Sequence, residues 1–506
     1  MEKSIGKKVF RGTVIIVLIG ILAKITSFIV EAILAAYMGT TYQSDAYYMV
    51  SSVQAVIYPM LSVGIWKVFL PLYKSHIAQG ETEVAESLAN KTISFFTTIS
   101  LIVVLLLILF APVAVSIVAP GFKGETRILC IWLVRISAPM YVFIIASAVY
   151  ASILQCHEKF LGSQIREVAS HIPTIIAAVF FYKKLGIEVM AVALVVAGLL
   201  RLIIELPFVN WGYRFRPDYK FKGQEFLLML KRLPSALISA GIAQLNTLVD
   251  KSMASMLPTG TISGLNYGHK LMNVFSGLLS SAIATAMYPQ MIELITLKKR
   301  DQLSELIVRI INIFCVLMVP ITIACILFRT ELVAAVFQRG AFDADSTKLT
   351  SNVFAIYCVG LFFIACSTVV SNIFYGNGDT KTPMYINISA LIMNIVFNLV
   401  LIHFWGVNGL AAATSLVVII TFFARLIIAR QYVKLSGKSL LKTGFKVLLA
   451  SVIACMIPRV FFWFHPINKY LVLIISACVG VVVYLLMITI LKVDEIHDLI
   501  GLMKKK

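Results

Sequence analysis

The chain has 506 residues, of which 60% are hydrophobic and 13% charged, with a mean hydropathy of +0.93. That composition excludes an ordinary soluble domain, which carries about 25% charge. The formal net charge of +20 reads as a topology signal and an attraction to anionic lipid, not as a nucleic-acid surface.

A membrane-spanning helix needs roughly 20 apolar residues. In chain order that rule marks fourteen spans: 13–38, 46–73, 92–118, 128–154, 164–182, 187–210, 233–256, 262–293, 306–328, 350–375, 384–403, 408–430, 444–463 and 470–491. The first run is too long for a signal-peptide core and is expected to remain as a span. The longest connections, 74–91, 211–232, 329–349 and 431–443, are too short to fold alone. The expected fold class is therefore an all-α polytopic membrane protein.

Basic residues orient it. The even-numbered connections and both termini hold roughly 26 Lys and Arg, including Lys3, Lys7, Lys8, Arg11 and the Lys504–Lys506 tail, against roughly 8 on the other side. Both termini are expected in the cytoplasm. The eight cysteines form no CxxC pair, so they read as small core residues and not as a metal or redox framework.

A weak internal repeat organises the spans. Glu31 followed by Asp45-Ala46-Tyr47-Tyr48 recurs as Asp250 followed by Gly264-Leu265-Asn266-Tyr267, and Tyr58-Pro59 as Tyr288-Pro289, at an offset of about 219 residues. Six spans separate the copies, and an even number preserves orientation. The expected domains are a six-helix lobe over 1–220, a parallel six-helix lobe over 221–432, and two further helices with a basic tail over 433–506.

Polar residues at membrane depth are the functional candidates. Lys24 lies roughly 16 Å into the first span, too deep for comfortable snorkelling, with Glu31 two turns further along. Lys270 lies higher in the eighth span, and Asp45, at the mouth of the second, suits either a site or a helix cap. These four are the candidate substrate-binding residues. Asp250, Asn398 and Thr414 share one depth on three spans, with Asn394 one turn below Asn398; their oxygens suit Na⁺ or simple interhelical hydrogen bonds. Arg201 and Glu205 stand at the i,i+4 spacing of a structural ion pair.

The segments KITSFIVEAILAAYMGTTYQSDAYY (24–48), NTLVDKSMASMLPTGTISGLNYGHK (246–270), FQRGAF (337–342) and FYGNGDTKTP (374–383) resemble the MurJ/MviN lipid II flippases of the multidrug/oligosaccharidyl-lipid/polysaccharide exporter superfamily. The resemblance implies alternating access that turns a polyprenyl-pyrophosphate sugar, lipid II, from the cytoplasmic to the outer leaflet of a bacterial cytoplasmic membrane. It also implies cavity cations at Lys24 and Lys270 and a sodium site at Asp250, Asn394, Asn398 and Thr414. This chain departs from the family pattern at Val30 and near Tyr58, where arginines are usual, in having lysines for cavity arginines, and in Asn398, where an acid is found.

On this reading the protein is a transporter and not an enzyme, with no catalytic residue and no cofactor, driven by Na⁺ or the membrane potential, since no GxxxxGK[ST] loop occurs. Its partners are the lipid-linked oligosaccharide and membrane lipids, with no nucleic acid, and it acts as a monomer. The alternatives are a flippase for another lipid-linked polysaccharide unit and a multidrug/cation antiporter, against which the basic cavity residues argue. A membrane enzyme acting on such lipids would need an interfacial His/Asp/Glu cluster that loop 329–349 lacks.

Overall fold

The computed structural model describes residues 2–157, 159–209, 213–434, 437–464 and 468–493. The Lys504–Lys506 tail and the side chains of residues 2–18, which the orientation reading used, lie outside the described residues. Every described element is helical and none is a strand, as a lipid solvent requires of backbone groups that must be satisfied within their own segment. The chain divides into two compact units, Met1–Ser263 and Gly264–Lys506.

The first unit runs through α1 (Glu2–Met38), α2 (Tyr42–Ala78), α3 (Thr82–Leu109), α4 (Ala111–Val118), α5 (Gly124–Ser137) and α6 (Met140–Cys156). It continues through α7 (Phe160–Ala169), α8 (Ile172–Ile176), a π-helical turn (Ala177–Phe181), α9 (Tyr182–Leu185), α10 (Glu188–Val209), α11 (Gln224–Ala254) and the opening of α12 (Thr261–Thr296). The second holds the rest of α12, then α13 (Arg300–Leu327), α14 (Arg329–Phe337), α15 (Ala344–Cys358), α16 (Leu361–Gly376), α17 (Lys381–Trp405), α18 (Val407–Ala429), α19 (Gly437–Phe464) and α20 (Lys469–Ile490).

Fourteen spans were expected, and the structure does not confirm that count. Among the described residues eleven helices are long and apolar enough to cross a membrane, or twelve if α5 and α6, bent by 46° at their junction, form one. The remaining expected spans, 233–256 and 262–293, fall within α11 and α12, helices of 31 and 36 residues. Both are long enough to cross at roughly 1.5 Å per residue. The side chains of 238–239 and 242–243 in α11 and of 278–286 in α12 lie outside the described residues, so the count does not test these two spans.

The helix lengths recur between the units in the same order. α3 and α13 each have 28 residues, α4 and α14 have 8 and 9, and α5 and α15 have 14 and 15. α6 and α16 have 17 and 16, and α10 and α18 have 22 and 23. The copies differ at one span. α17 is continuous, whereas its counterpart is broken into α7, α8, the π turn and α9, with Pro173 at the start of α8; proline gives no backbone donor to the preceding turn.

Local chemistry explains the corners. Thr41 caps α2 by accepting from Ser44 N at 3.3 Å while Ser44 Oγ accepts from Thr41 N at 2.8 Å, a reciprocal box that fixes the tight α1–α2 turn. The FQRGAF segment is a second corner, between α14 and α15. Phe337 and Phe342 pack with Tyr267 at centroid separations of 5.3 to 5.7 Å, and all three are fully buried. Gly340 has φ +60°, open to glycine at no steric cost. Asp343 then caps α15, accepting from Ser346 N at 2.8 Å, and these amide contacts hold its carboxyl below the usual range. In DTKTP, Asp379 accepts from Thr382 N at 2.9 Å and from Tyr432 Oη at 3.2 Å, closing the α16–α17 turn.

Below these corners lie apolar cores. In the second unit Ile307, Ile310, Phe314, Val369, Ile373 and Phe374 are buried together, and α19 and α20 are fastened to α13 through Cys315, Val316, Val447, Ala450 and Ile488. All eight thiols are free and six are buried, as small core residues should be.

Candidate functional site

Inside a span, a charged side chain must find a partner or face a wet space. In the first unit, Glu31 on α1 is buried and accepts from Tyr48 Oη on α2 at 2.8 Å. The Tyr48 ring in turn lies under the buried Lys251 ammonium of α11, 5.8 Å from its centroid. Glu31, Tyr48 and Lys251 thus join three helices. Asp250, the neighbour of Lys251 on α11, is buried as well.

Asp45 is also buried, and its oxygens are taken up by the start of α12. They accept from Gly260 N at 2.7 Å, Ser263 N at 2.8 Å and Ser263 Oγ at 2.8 Å. This is a helix cap delivered from another helix: the carboxylate satisfies orphan amides at the positive end of α12. Gly260, at φ +90°, admits the arrangement, since a Cβ there would lie 2.7 Å from the Thr40 carbonyl oxygen.

Lys24 is different. It is exposed on α1, in a stretch where Ile21, Leu22, Ile25 and Ile29 are exposed too. An ammonium on such a face is costly in hydrocarbon, which makes Lys24 a candidate to meet water or an anion.

In the second unit Lys270 is half-buried on α12, one residue after His269, whose ring packs on Tyr357 at 5.5 Å. Asn394 and Asn398 on α17 are buried and linked to each other and to α18. Asn398 Nδ2 donates to Asn394 Oδ1 at 3.1 Å, Asn394 Nδ2 to Thr414 Oγ1 at 3.5 Å, and Thr414 Oγ1 to the Leu410 carbonyl at 3.2 Å. As arranged, the Asn394 and Thr414 oxygens face amide donors. For these side chains to hold Na⁺, the amides must turn so that their oxygens converge, and the set stays neutral.

One cluster escaped the sequence reading. Arg201 and Glu205 do not pair along α10 as their spacing suggested; each pairs with α7. Glu205, fully buried, binds Arg166, which also donates to Ser147 Oγ at 3.0 Å. Arg201 pairs with Glu167, and its guanidinium stacks 4.7 Å from the Tyr58 ring centroid on α2. A signal was present: span 164–182 carries Arg166 and Glu167, and span 187–210 carries Arg201 and Glu205 within it besides Glu188 at its start, so each span offers an acid and a base to a neutral inter-span tetrad.

Comparison with known proteins follows the same outline. The family model described as Lipid II flippase MurJ matches residues 34–482. A probable lipid II flippase MurJ of Rickettsia prowazekii is 24% identical over 88% of this chain and 88% of its own length. One from Thermotoga maritima is 24% identical over 94% and 96%, and the lipid II flippase MurJ of Burkholderia cenocepacia is 24% identical over 77% and 78%. Among solved structures, a lipid II flippase MurJ in an inward closed conformation superposes with a TM-score of 0.82 at 21% identity, covering 96% of this chain and 100% of that one. An inward-facing multidrug resistance MATE transporter of the MOP superfamily follows the fold more loosely, with a TM-score of 0.69 at 14% identity over 81% and 94%.

Proposed function

The chain belongs to the lipid II flippase MurJ family, and from that premise we propose that it turns lipid II from the cytoplasmic to the outer leaflet by alternating access. The observation that supports this most is Lys24: an exposed ammonium in the middle of an apolar helix suits a pyrophosphate that hydrocarbon would reject. Lysine holds such a group as a point charge, without the planar fork of arginine. Lys270 on α12 is the second cation of this reading. Glu31 and Asp45 act on the substrate indirectly, Glu31 by fixing Tyr48 and Asp45 by capping α12.

No bond is made or broken in the proposed cycle. The head group crosses in a wet cavity while the polyprenyl tail stays in lipid, and transport is of the secondary type, powered by the membrane potential or an ion gradient. The recurring helix lengths of the two units support a pair of parallel six-helix lobes, with α19 and α20 added outside the repeat. The protein works as a monomer in the cytoplasmic membrane with both termini inside. Of the expected cation-binding residues Asp250, Asn394, Asn398 and Thr414, the last three offer Na⁺ converging oxygens only after amide rotation, so no step is assigned to the ion. Replacing Na⁺ with an impermeant cation at fixed potential should leave flipping unchanged if the three residues serve only as interhelical hydrogen bonds.

The decisive experiment is rescue of a strain depleted of its own lipid II flippase. Wild type should rescue. Lys24→Ala and Lys270→Ala should reach the membrane at normal levels yet fail, and arginine at either position should restore part of the activity. Failure of well-expressed wild type, or normal rescue by both alanine variants, would overturn the reading.

A further inference from the structure

We propose that Arg201 is a further binding residue for the substrate diphosphate and that Glu167 occupies its guanidinium when no substrate is bound. The assignment rests on the flippase reading above and deepens it. Its basis is the unequal standing of the two ion pairs between α7 and α10. Arg166 and Glu205 form a closed pair: their side chains are 9% and 0% exposed, and Ser147 takes a further guanidinium donor. Arg201 is 12% exposed, and its partner Glu167 is 34% exposed, the most open member of the tetrad. Glu167 also stands 3.6 Å from Arg166 Nε, so it can release Arg201 and remain beside a cation.

The second element of the argument is depth. Lys24 stands about 20 Å from the Met38 end of α1, Tyr58 about 20 to 25 Å from the Tyr42 end of α2, and Arg201 about 20 Å from the Glu188 end of α10, taking roughly 1.5 Å per residue. Those three ends lie on one side of the membrane, because the intervening spans alternate in direction. Arg201 and Lys24 are therefore level, and α1 packs directly on α7, the helix of Glu167. A diphosphate held at Lys24 would meet at the same level a guanidinium already oriented by the Tyr58 ring. Stacking leaves the planar fork edge free to donate two parallel hydrogen bonds, which a lysine cannot offer.

In the empty protein the tetrad is neutral, with two guanidinium groups against two carboxylates. A diphosphate would displace Glu167 from Arg201 by competing for the same donors. The carboxylate thus acts against binding, and its removal should strengthen binding. A purely structural pair behaves in the opposite way, since losing either partner only weakens the fold.

The test measures binding of undecaprenyl diphosphate to the purified full-length chain, with thermal unfolding recorded in parallel. Glu167→Gln should bind about two- to fivefold more tightly, the scale of a partly exposed ion pair. Arg201→Gln should bind about ten- to a hundredfold more weakly, the scale of charge-assisted hydrogen bonds, and Arg201→Lys should fall between. Competition by inorganic pyrophosphate tells recognition of the diphosphate from recognition of the lipid. Unchanged or weaker binding by Glu167→Gln beside a wild type that binds overturns the Arg201 assignment alone. No binding by wild type overturns the flippase reading, and this assignment with it. If Arg201→Gln does not fold, Glu167→Gln still decides, because the two roles give it opposite signs.

Discussion

Where α7 and α10 cross in the first unit, two carboxylates meet two guanidinium groups. At the corresponding crossing of the second, α17 and α18 bring together one guanidinium and one amide, with Arg425 Nη2 donating to Asn387 Oδ1 at 2.9 Å. The rest of that contact is the neutral chain of Asn394, Asn398 and Thr414. The same contrast recurs at the second helix of each repeat. Asp45 gives its carboxylate to the α12 amides, whereas its counterpart Gly264 has no side chain and lies against Leu349 so closely that a Cβ would come within 2.8 Å. At these two places, helices of nearly equal length and order bury charged groups in one copy and amides or backbone in the other, although Asp250 and Lys251 are buried on α11. Buried ion pairs cost desolvation and are sensitive to the loss of one partner, while amide contacts between membrane helices are weaker and more tolerant. Matching helix crossings can therefore be held by polarity in one place and by shape in the other.

The sharpest way to break the contrast is to remove one charge from the closed pair. Glu205→Ala leaves Arg166 buried without its carboxylate and should cost about 3–5 kcal/mol, seen as loss of folded protein in detergent. Arg166→Met with Glu205→Leu should recover most of that loss; if the double variant is as unstable as the single one, the pair is not the unit that matters.

Asp45→Ala should come next, at roughly 1–3 kcal/mol for leaving buried α12 amides unsatisfied. Asp45→Asn, which keeps one acceptor oxygen, should lie closer to wild type. Thermal unfolding of the two variants ranks them, and equal stability of Ala and wild type would remove the cap from the account.

Asn398→Leu tests the neutral side and should cost only about 0.6 kcal/mol, with about 1.7 as an upper bound. A loss as large as that of Glu205→Ala would erase the distinction between the copies.

The smallest effect lies at the second unit's surface. The Thr382 amide holds the Asp379 carboxyl below its ordinary range, helped by Tyr432. A depressed folded value means that the carboxylate stabilises the fold above the unfolded value of about 3.9 and that this is lost as pH falls through the lower folded value. The stability gap between wild type and Asp379→Asn should be flat above about pH 5 and close below about pH 4. A gap that persists at low pH would mean that the turn geometry, and not the charge, is responsible.

Much of this protein was legible residue by residue. Apolar runs marked the spans because hydropathy and length are local properties, and FQRGAF and DTKTP were visible as specific motifs. The sequence did not show that they are corners, since burial of Tyr267 between Phe337 and Phe342 joins residues some seventy positions apart. Lys24 stood out because one ammonium in an apolar run is costly wherever the helix packs. Arg166 and Glu167 did not stand out, because near a span end they look like ordinary interfacial charges.

The sequence by itself determined the helical class and the presence of charged residues inside apolar runs, since both follow from composition and period along one strand of chain. Only the tertiary structure decided who pairs with whom. Arg201 and Glu205 have the spacing to join along α10, yet each turns to α7, and Asp45 reaches across to α12 instead of serving its own helix. The physical reason is that ion pairs and caps are short-ranged and directional, so their energies depend on which helices the fold makes neighbours.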